Sequence, residues 1–85
     1  MKGILQMKKQ QQILIDRIDE LCKEKDYTYY VLSYKSSVPM TTLMHIMKGE
    51  SKNPGIFTIL KICDGLDVTI QEFFGTKEFE DVKKE

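Results

Sequence analysis

Apolar residues recur along most of this chain at the three- to four-residue spacing of an amphipathic helix, and no segment shows the strict alternation of a strand. The first stripe predicts a helix over residues 12–25, with its charged side chains on the opposite face. Its apolar members are Leu14, Ile18, Leu21 and Cys22. Later stripes predict helices over residues 28–35, 39–48, 55–64 and 69–74. The chain is therefore predicted to be all-α, with five helices in its compact part.

Capping residues stand where these helices are expected to begin and end. Thr28 is a candidate N-cap of the second helix, and Gly49 is a candidate C-cap of the third. Gly65 marks the end of the fourth helix. Thr69 and Glu72 have the T-x-x-E spacing of a capping box at the start of the fifth helix.

The N-terminal residues 1–11 carry a weaker helical pattern. Their apolar side chains, which stand among lysines and glutamines, are Ile4, Leu5 and Met7. The segment extends the first helix, pairs with a partner chain or is disordered. Ile13 and Ile15 lie off the main stripe, and this unexplained apolar surface is a sign of self-association.

The C-terminal residues 76–85 are charged and form either a short sixth helix or a frayed tail. Their apolar residues, Phe79 and Val82, and the apolar N-terminus are the two candidate contacts with a second copy of the chain. We therefore divide the chain into an N-terminal extension (1–11), a compact domain over residues 12–75 and a C-terminal tail.

Composition narrows the class of protein. The 85 residues suffice for one domain, and 41% hydrophobic with 31% charged residues is typical of a globular protein. No apolar run reaches the ~18 residues of a membrane span and no signal-peptide pattern is present, so a cytoplasmic protein is expected. Cys22 and Cys63 lack metal-ligand spacing and His45 is the only histidine, so neither a metal nor a cofactor is expected.

Charge is balanced overall but unevenly distributed. Residues 28–61 contain four lysines against one glutamate, whereas residues 62–85 contain seven acidic against three basic groups. A net charge of zero argues against a strong nonspecific polyanion binder. A net charge of zero is still compatible with a local basic surface formed by the middle of the chain.

The stretch from residue 28 to residue 49 has the pattern of a helix-turn-helix. Two short helices are joined by a turn that contains Ser37, and Ser33 is a small residue where the helices are expected to cross. The expected internal contacts are Leu32, Val38, Leu43 and Ile46. The outer face of the later helix then carries Met40, Thr41, Met44, His45 and Lys48.

Several motifs at matched spacing make the chain resemble a known family over about residues 12–75. The motifs are SVPMTTL (37–43), IMKG (46–49), SKNP (51–54), TILKICDGL (58–66) and EFF (72–74). In these segments the chain is similar to the Cro/repressor-type helix-turn-helix family, also called the XRE family. The resemblance implies a compact five-helix domain that binds double-stranded DNA, with its third helix in the major groove and its second across the phosphate backbone.

The resemblance also implies which residues touch DNA. Base contacts are expected from Met40, Thr41, Met44 and His45. Phosphate contacts are expected from Thr28, Tyr29, Thr42, Lys48, Lys52 and Asn53. The expected function is sequence-specific transcriptional regulation, as a repressor, by a homodimer whose half-sites lie about 34 Å apart. No small-molecule ligand is expected, because the chain has no room for a separate sensing domain.

Three features depart from the family pattern. Ser37 stands where a turn glycine is usual, so it is strained if its φ is positive. Lys35 replaces an apolar residue and is expected to point outward. Cys22 and Met47 stand where phage members often pair Arg with Glu, and they predict a dry apolar contact instead.

The alternative function is a protein-interaction module of the same fold, such as an anti-repressor or antitoxin-like partner, that does not bind DNA by itself. The single arginine and the methionine-rich outer face of the third helix favour this alternative. An enzyme is not expected, because one histidine and no glycine-rich phosphate loop leave no recognisable catalytic set.

Overall fold

A computed structural model describes residues 2–81, with side chains from residue 10 onward, and arranges them in six α-helices. The helices are α1 (Lys2–Lys25), α2 (Tyr29–Ser36), α3 (Met40–Met47), α4 (Ile56–Gly65), α5 (Ile70–Phe74) and α6 (Lys77–Asp81). The all-α prediction is confirmed. The five helices predicted for the compact part are present, and part of the charged tail forms a sixth, α6, which is one of the two outcomes that the sequence left open for it. Val82, the second apolar residue of that tail, lies outside the described residues.

The helix α1 begins well before the predicted start near residue 12. Residues 2–11 continue the helix, which is one of the three outcomes that the sequence left open for this segment. They are rich in Lys, Gln, Leu and Met, which are good helix formers, and they contain no proline. The side chains of Ile4, Leu5 and Met7 lie outside the described part of the structure.

The core is built from apolar side chains of α1 to α5, of Val38 in the turn before α3 and of Leu66, which follows α4. Those without any exposed surface are Ile18, Leu32, Leu43, Ile62, Leu66 and Phe73. Burial of each contributes about 1.5–3 kcal/mol relative to an exposed position. On α4 the structure buries Ile59, Ile62 and Cys63 but exposes Ile56 and Leu60, because a helix packed on one side hides only one face.

The helices α2 and α4 approach closely enough to exclude a side chain. A Cβ built on Gly65 would lie 2.7 Å from the Cβ and 2.8 Å from the Cα of Ser36. Ser36 is buried, whereas Ser33, the residue predicted to lie at a helix crossing, is half-buried. The close contact with α4 therefore falls on Ser36, one turn after Ser33, the residue predicted to lie where α2 crosses α3.

The turn between α2 and α3 contains a left-handed residue. Ser37 has φ 59° and ψ 24° and is exposed. Glycine adopts this conformation without the steric cost that a Cβ brings. The turn therefore carries the strain that the departure from glycine predicts.

The capping box at the start of α5 is formed as the sequence predicts. The Thr69 Oγ1 accepts from the Glu72 N–H at 3.0 Å, and the Glu72 Oε1 accepts from the Thr69 N–H at 2.8 Å. The hydrogen bond from the Thr69 backbone lowers the pKa of Glu72 below its usual range. Both hydrogen bonds of the capping box are thus formed between residues three positions apart, without any distant partner.

The other end of α5 depends on a distant residue, Arg17. Its guanidinium donates to the carbonyl oxygens of Phe73 at 2.8 Å and Glu72 at 2.7 Å. It also pairs with Glu20 on α1 at 2.8 Å. Carbonyls at a helix C-terminus lack intrahelical donors and carry a partial negative charge, so a cation that binds them stabilises the helix end. Arg17 therefore joins α1 to a helix of only five residues.

Replacing Gly65 with Ala is expected to destabilise the fold by about 1–3 kcal/mol, because the added methyl group forces α4 away from Ser36. Urea unfolding followed by circular dichroism measures the change. The matched control is Gly55→Ala, since a Cβ at Gly55 meets no atom within 4 Å. A Gly65 variant as stable as the Gly55 variant would contradict the close packing of α2 on α4.

Replacing Ser37 with Gly is expected to stabilise the fold by about 1 kcal/mol, because glycine relieves the left-handed backbone strain. Thermal unfolding is the measurement, and the midpoint should rise by roughly 4–8 °C for a domain of this size. Ser37→Ala serves as the control, since it changes the side chain but keeps the Cβ. If the midpoint of the glycine variant stays at the wild-type value, the left-handed backbone at residue 37 does not destabilise the fold.

Candidate nucleic-acid interface

The turn between α2 and α3 is held by two serine hydroxyls from α2. The Ser33 Oγ donates to the Val38 carbonyl at 2.7 Å, and the Ser36 Oγ accepts from the Val38 N–H at 3.2 Å. Both backbone polar groups of Val38 are therefore satisfied while its side chain is buried in the core. This fixes the angle at which the chain enters α3. Sequence reasoning missed both bonds, because it treated Ser33 only as a small residue.

The helix α3 has a buried face and an open face. Leu43 and Ile46 are buried, and Met47 packs against the core cluster. Of the expected base-contacting residues, Thr41, His45 and Met40 are exposed and Met44 is half-buried. Thr42 and Lys48 are exposed as well. The outer strip of α3 is thus accessible, with two hydroxyls, one imidazole, one ammonium group and thioethers on it.

A carboxylate stands beside this strip. The Glu50 Oε1 lies 3.8 Å from the Nε2 of His45, and both side chains are more than half exposed. The loop brings it there by folding back over the end of α3, since the His45 carbonyl accepts from the N–H groups of Glu50 at 2.9 Å and Ser51 at 3.1 Å. Sequence reasoning missed this acidic neighbour, although Glu50 is the only acidic residue between residues 28 and 61.

The helix α3 ends one residue earlier than predicted. Met47 is its last residue and Lys48 is its C-cap, so Gly49, the predicted cap, is the next residue along the chain. Gly49 has φ +77° and its N–H donates to the Ile46 carbonyl at 3.0 Å. A left-handed glycine directly after the C-cap is a common helix ending. The following loop carries Lys52 and Asn53, which are both exposed.

The start of α2 lies next to α1. Thr28 caps α2, with its Oγ1 accepting from the Val31 N–H at 3.1 Å. The Tyr29 hydroxyl donates to the Asp19 carboxylate at 2.7 Å. Burial and this hydrogen bond raise the pKa of Tyr29 to about 12. Hydrogen bonds from Lys23 and Tyr29 lower the pKa of Asp19 below its usual range. The Tyr29 hydroxyl is therefore engaged within the protein.

Two departures from the family pattern also have a place in the structure. Lys35 is exposed, as expected, and its Nζ lies 5.4 Å from the centroid of the Tyr27 ring. This geometry permits a cation–π contact. Cys22 is buried in the core, and burial raises the pKa of its thiol to about 11. Met47 packs against the same core, so apolar groups occupy both positions where an ion pair is common.

Among residues 2–81, no group of three or more His, Cys, Asp or Glu is arranged to hold a metal ion. Within the same residues, no helix is long and apolar enough to cross a membrane.

Comparison with known proteins places this geometry in a family. The profile of the Cro/C1-type HTH DNA-binding domain matches residues 17–78, a segment that contains α2, the turn and α3. No curated protein and no solved structure matches the chain. The matched segment covers most of the sequence, and the fold inside it has the two short helices and tight turn that define the motif. The chain therefore belongs to the family of Cro/C1-type helix-turn-helix DNA-binding domains.

Proposed function

We propose that this protein is a transcriptional regulator, acting as a repressor, that binds specific double-stranded DNA sites with α3 in the major groove. The observation that carries the proposal is the division of α3 into a buried face and an open polar face. Leu43 and Ile46 fix the helix to the core, and Thr41 and His45 remain exposed. A helix of this kind is the element that helix-turn-helix proteins place in the major groove, where its exposed side chains contact the edges of the bases.

The proposed base contacts follow from the chemistry of the open strip. The Thr41 hydroxyl is a donor or an acceptor for a base edge, and its methyl group can pack on a thymine methyl. The His45 imidazole offers a hydrogen bond to a purine edge. Met40 and Met44 supply only apolar contact, and the half-buried Met44 offers less surface than Met40.

The proposed phosphate contacts surround this strip. Lys48, Lys52 and Asn53 follow α3 and are exposed, and Thr42 is exposed on α3 itself. Thr28 and Tyr29 lie at the start of α2, where free N–H groups favour a phosphate. Because the Tyr29 hydroxyl is bonded to Asp19, the contribution of Tyr29 is assigned to its backbone N–H. Such contacts orient the protein without reading sequence.

The proposed active form is a homodimer on a two-fold symmetric site. Helix-turn-helix dimers bind half-sites about 34 Å apart, because successive major grooves face the same side at that spacing. The chain exposes apolar side chains that such a contact can bury, among them Ile56 and Phe57 at the start of α4. Phe79 is less available, since its ring centroid lies 4.8 Å from that of Phe74 within the chain.

A second candidate function, a protein-interaction module, is favoured by one specific observation. The Glu50 carboxylate stands 3.8 Å from His45 at the proposed groove face, where it would repel phosphate. Its presence suits a protein partner better than DNA. The two candidate functions predict different effects on duplex affinity when Glu50 or the lysines are substituted.

Selection of bound duplexes from a random pool is expected to yield a symmetric site with half-sites one helical turn apart. Against that site, Thr41→Ala and His45→Ala should each cost about 1–3 kcal/mol and relax the preference at defined base pairs, because each removes a base contact. Lys52→Ala should weaken all sequences alike and lower the salt slope by about 1. Fluorescence anisotropy at several salt concentrations measures these effects.

The charge-matched control for Lys52 is Lys77→Ala on α6, which should leave affinity within about twofold because Lys77 is no part of the proposed contact. Wild-type protein that shows no preference for any duplex at low salt would rule out the regulator. If the Thr41 and His45 variants lose affinity without any change in sequence preference, both residues contact the DNA backbone and not the base edges.

Replacing Glu50 with Gln is expected to raise duplex affinity by about two- to fivefold at low salt, because it removes a negative charge from a surface that meets phosphates. The gain should shrink as salt is added, since screening weakens exposed charges. Anisotropy titrations at low and high salt measure the change, with Glu80→Gln on α6 as the matched control. A Glu50 variant that binds DNA no better than the control argues that this face does not meet phosphate.

A further inference from the structure

The N-terminal part of α1 touches the loop that follows α3. The Gln11 Nε2 donates to the Gly49 carbonyl at 3.2 Å and to the Ser51 carbonyl at 3.3 Å. Since both partners are acceptors, only the NH2 end of the amide fits between them, and it uses both of its hydrogens. Gln11 precedes residues 17–78, so family membership assigns it no role.

Neighbouring side chains strengthen this contact. The Cδ1 of Ile15 lies 4.0 Å from the position that a Cβ on Gly49 would occupy. Leu14 and Ile15 line one side of a hollow whose other side is formed by Ile46 and Pro54. One face of α1 thus lies along the loop over residues 49–54, with Gln11 as its hydrogen-bonding group.

The N–H groups and the carbonyls at the beginning of the loop have different partners. The N–H groups of Gly49, Glu50 and Ser51 donate back to the end of α3, which ties down the beginning of the loop. The carbonyls of Gly49 and Ser51 point to α1 instead and are met by Gln11. Lys52 and Asn53, two of the proposed phosphate contacts, follow directly.

We propose that Gln11 is a positioning residue for DNA binding: its amide holds the loop over residues 49–51 so that Lys52 and Asn53 are placed before the duplex arrives. This rests on the proposed function of the α3 surface. A loop that is already ordered loses less conformational entropy on binding, so the prearranged lysine and asparagine contribute more to affinity. Gln11 itself does not touch DNA in this scheme.

The chain supplies a matched control in the next residue. Gln12 is also a glutamine of α1, but its Nε2 donates to the Asp16 Oδ1 at 2.8 Å on the exposed side of the same helix. Replacement by Met keeps the length and helix propensity of either side chain and removes its donors. Gln11→Met and Gln12→Met therefore remove the same donors from neighbouring positions, the first half-buried against the loop and the second exposed.

Gln11→Met is expected to weaken affinity for the selected duplex about three- to tenfold, the worth of one or two hydrogen bonds, and to lower the salt slope. Gln12→Met should bind within about twofold of wild type. In the free protein, NMR amide exchange should rise at Glu50 and Ser51 in the Gln11 variant alone. Exchange of core amides, such as that of Leu43, should stay at the wild-type rate.

Two results would overturn the positioning role. The first is a Gln11 variant with unchanged loop exchange and unchanged affinity. The second is exchange that rises equally in the loop and the core, which indicates a general loss of stability. If wild-type protein binds no duplex, the proposed function fails and the link from Gln11 to DNA fails with it. The exchange data on the free protein then still decide whether Gln11 orders the loop.

Discussion

The close contact between α2 and α4 is the constraint on which the rest of the structure depends. Gly65 has no side chain, so the backbone of α4 can lie directly against Ser36 at the end of α2. That position brings the turn after α2 over the core, where Val38 is buried and held by Ser33 and Ser36. The direction of α3, and with it the exposure of Thr41 and His45, follows from this arrangement.

The local charge of the candidate interface differs from the net charge of the whole chain. The chain has no net charge, yet exposed Lys48 and Lys52 stand near the open strip of α3. Glu50 opposes them and lies beside His45. A surface with few cations binds phosphate weakly, so base contacts would have to supply a larger share of the binding energy in a complex with DNA.

The helix α1 forms hydrogen bonds with two segments that lie far from it in the sequence. Arg17 binds the carbonyl end of α5, and Gln11 binds the loop after α3. In both cases a side chain on a long helix satisfies backbone carbonyls that have no regular helical partner. The extension of α1 before residue 17 therefore has contacts of its own with the family domain that follows it.

The sequence by itself determined the features that rest on neighbours along the chain. The helical stripes, the Thr28 cap, the Thr69–Glu72 capping box and the helix-turn-helix pattern all depend on spacings of a few residues, and the structure contains each of them. The contacts of Gly65 with Ser36, of Arg17 with α5, of Gln11 with the loop and of Glu50 with His45 were decided only by the tertiary structure. Hydrophobic periodicity shows which face of a helix turns inward, but not which distant backbone atom its polar side chains will meet. That choice depends on the distances and angles between helices, which exist only once the core has packed.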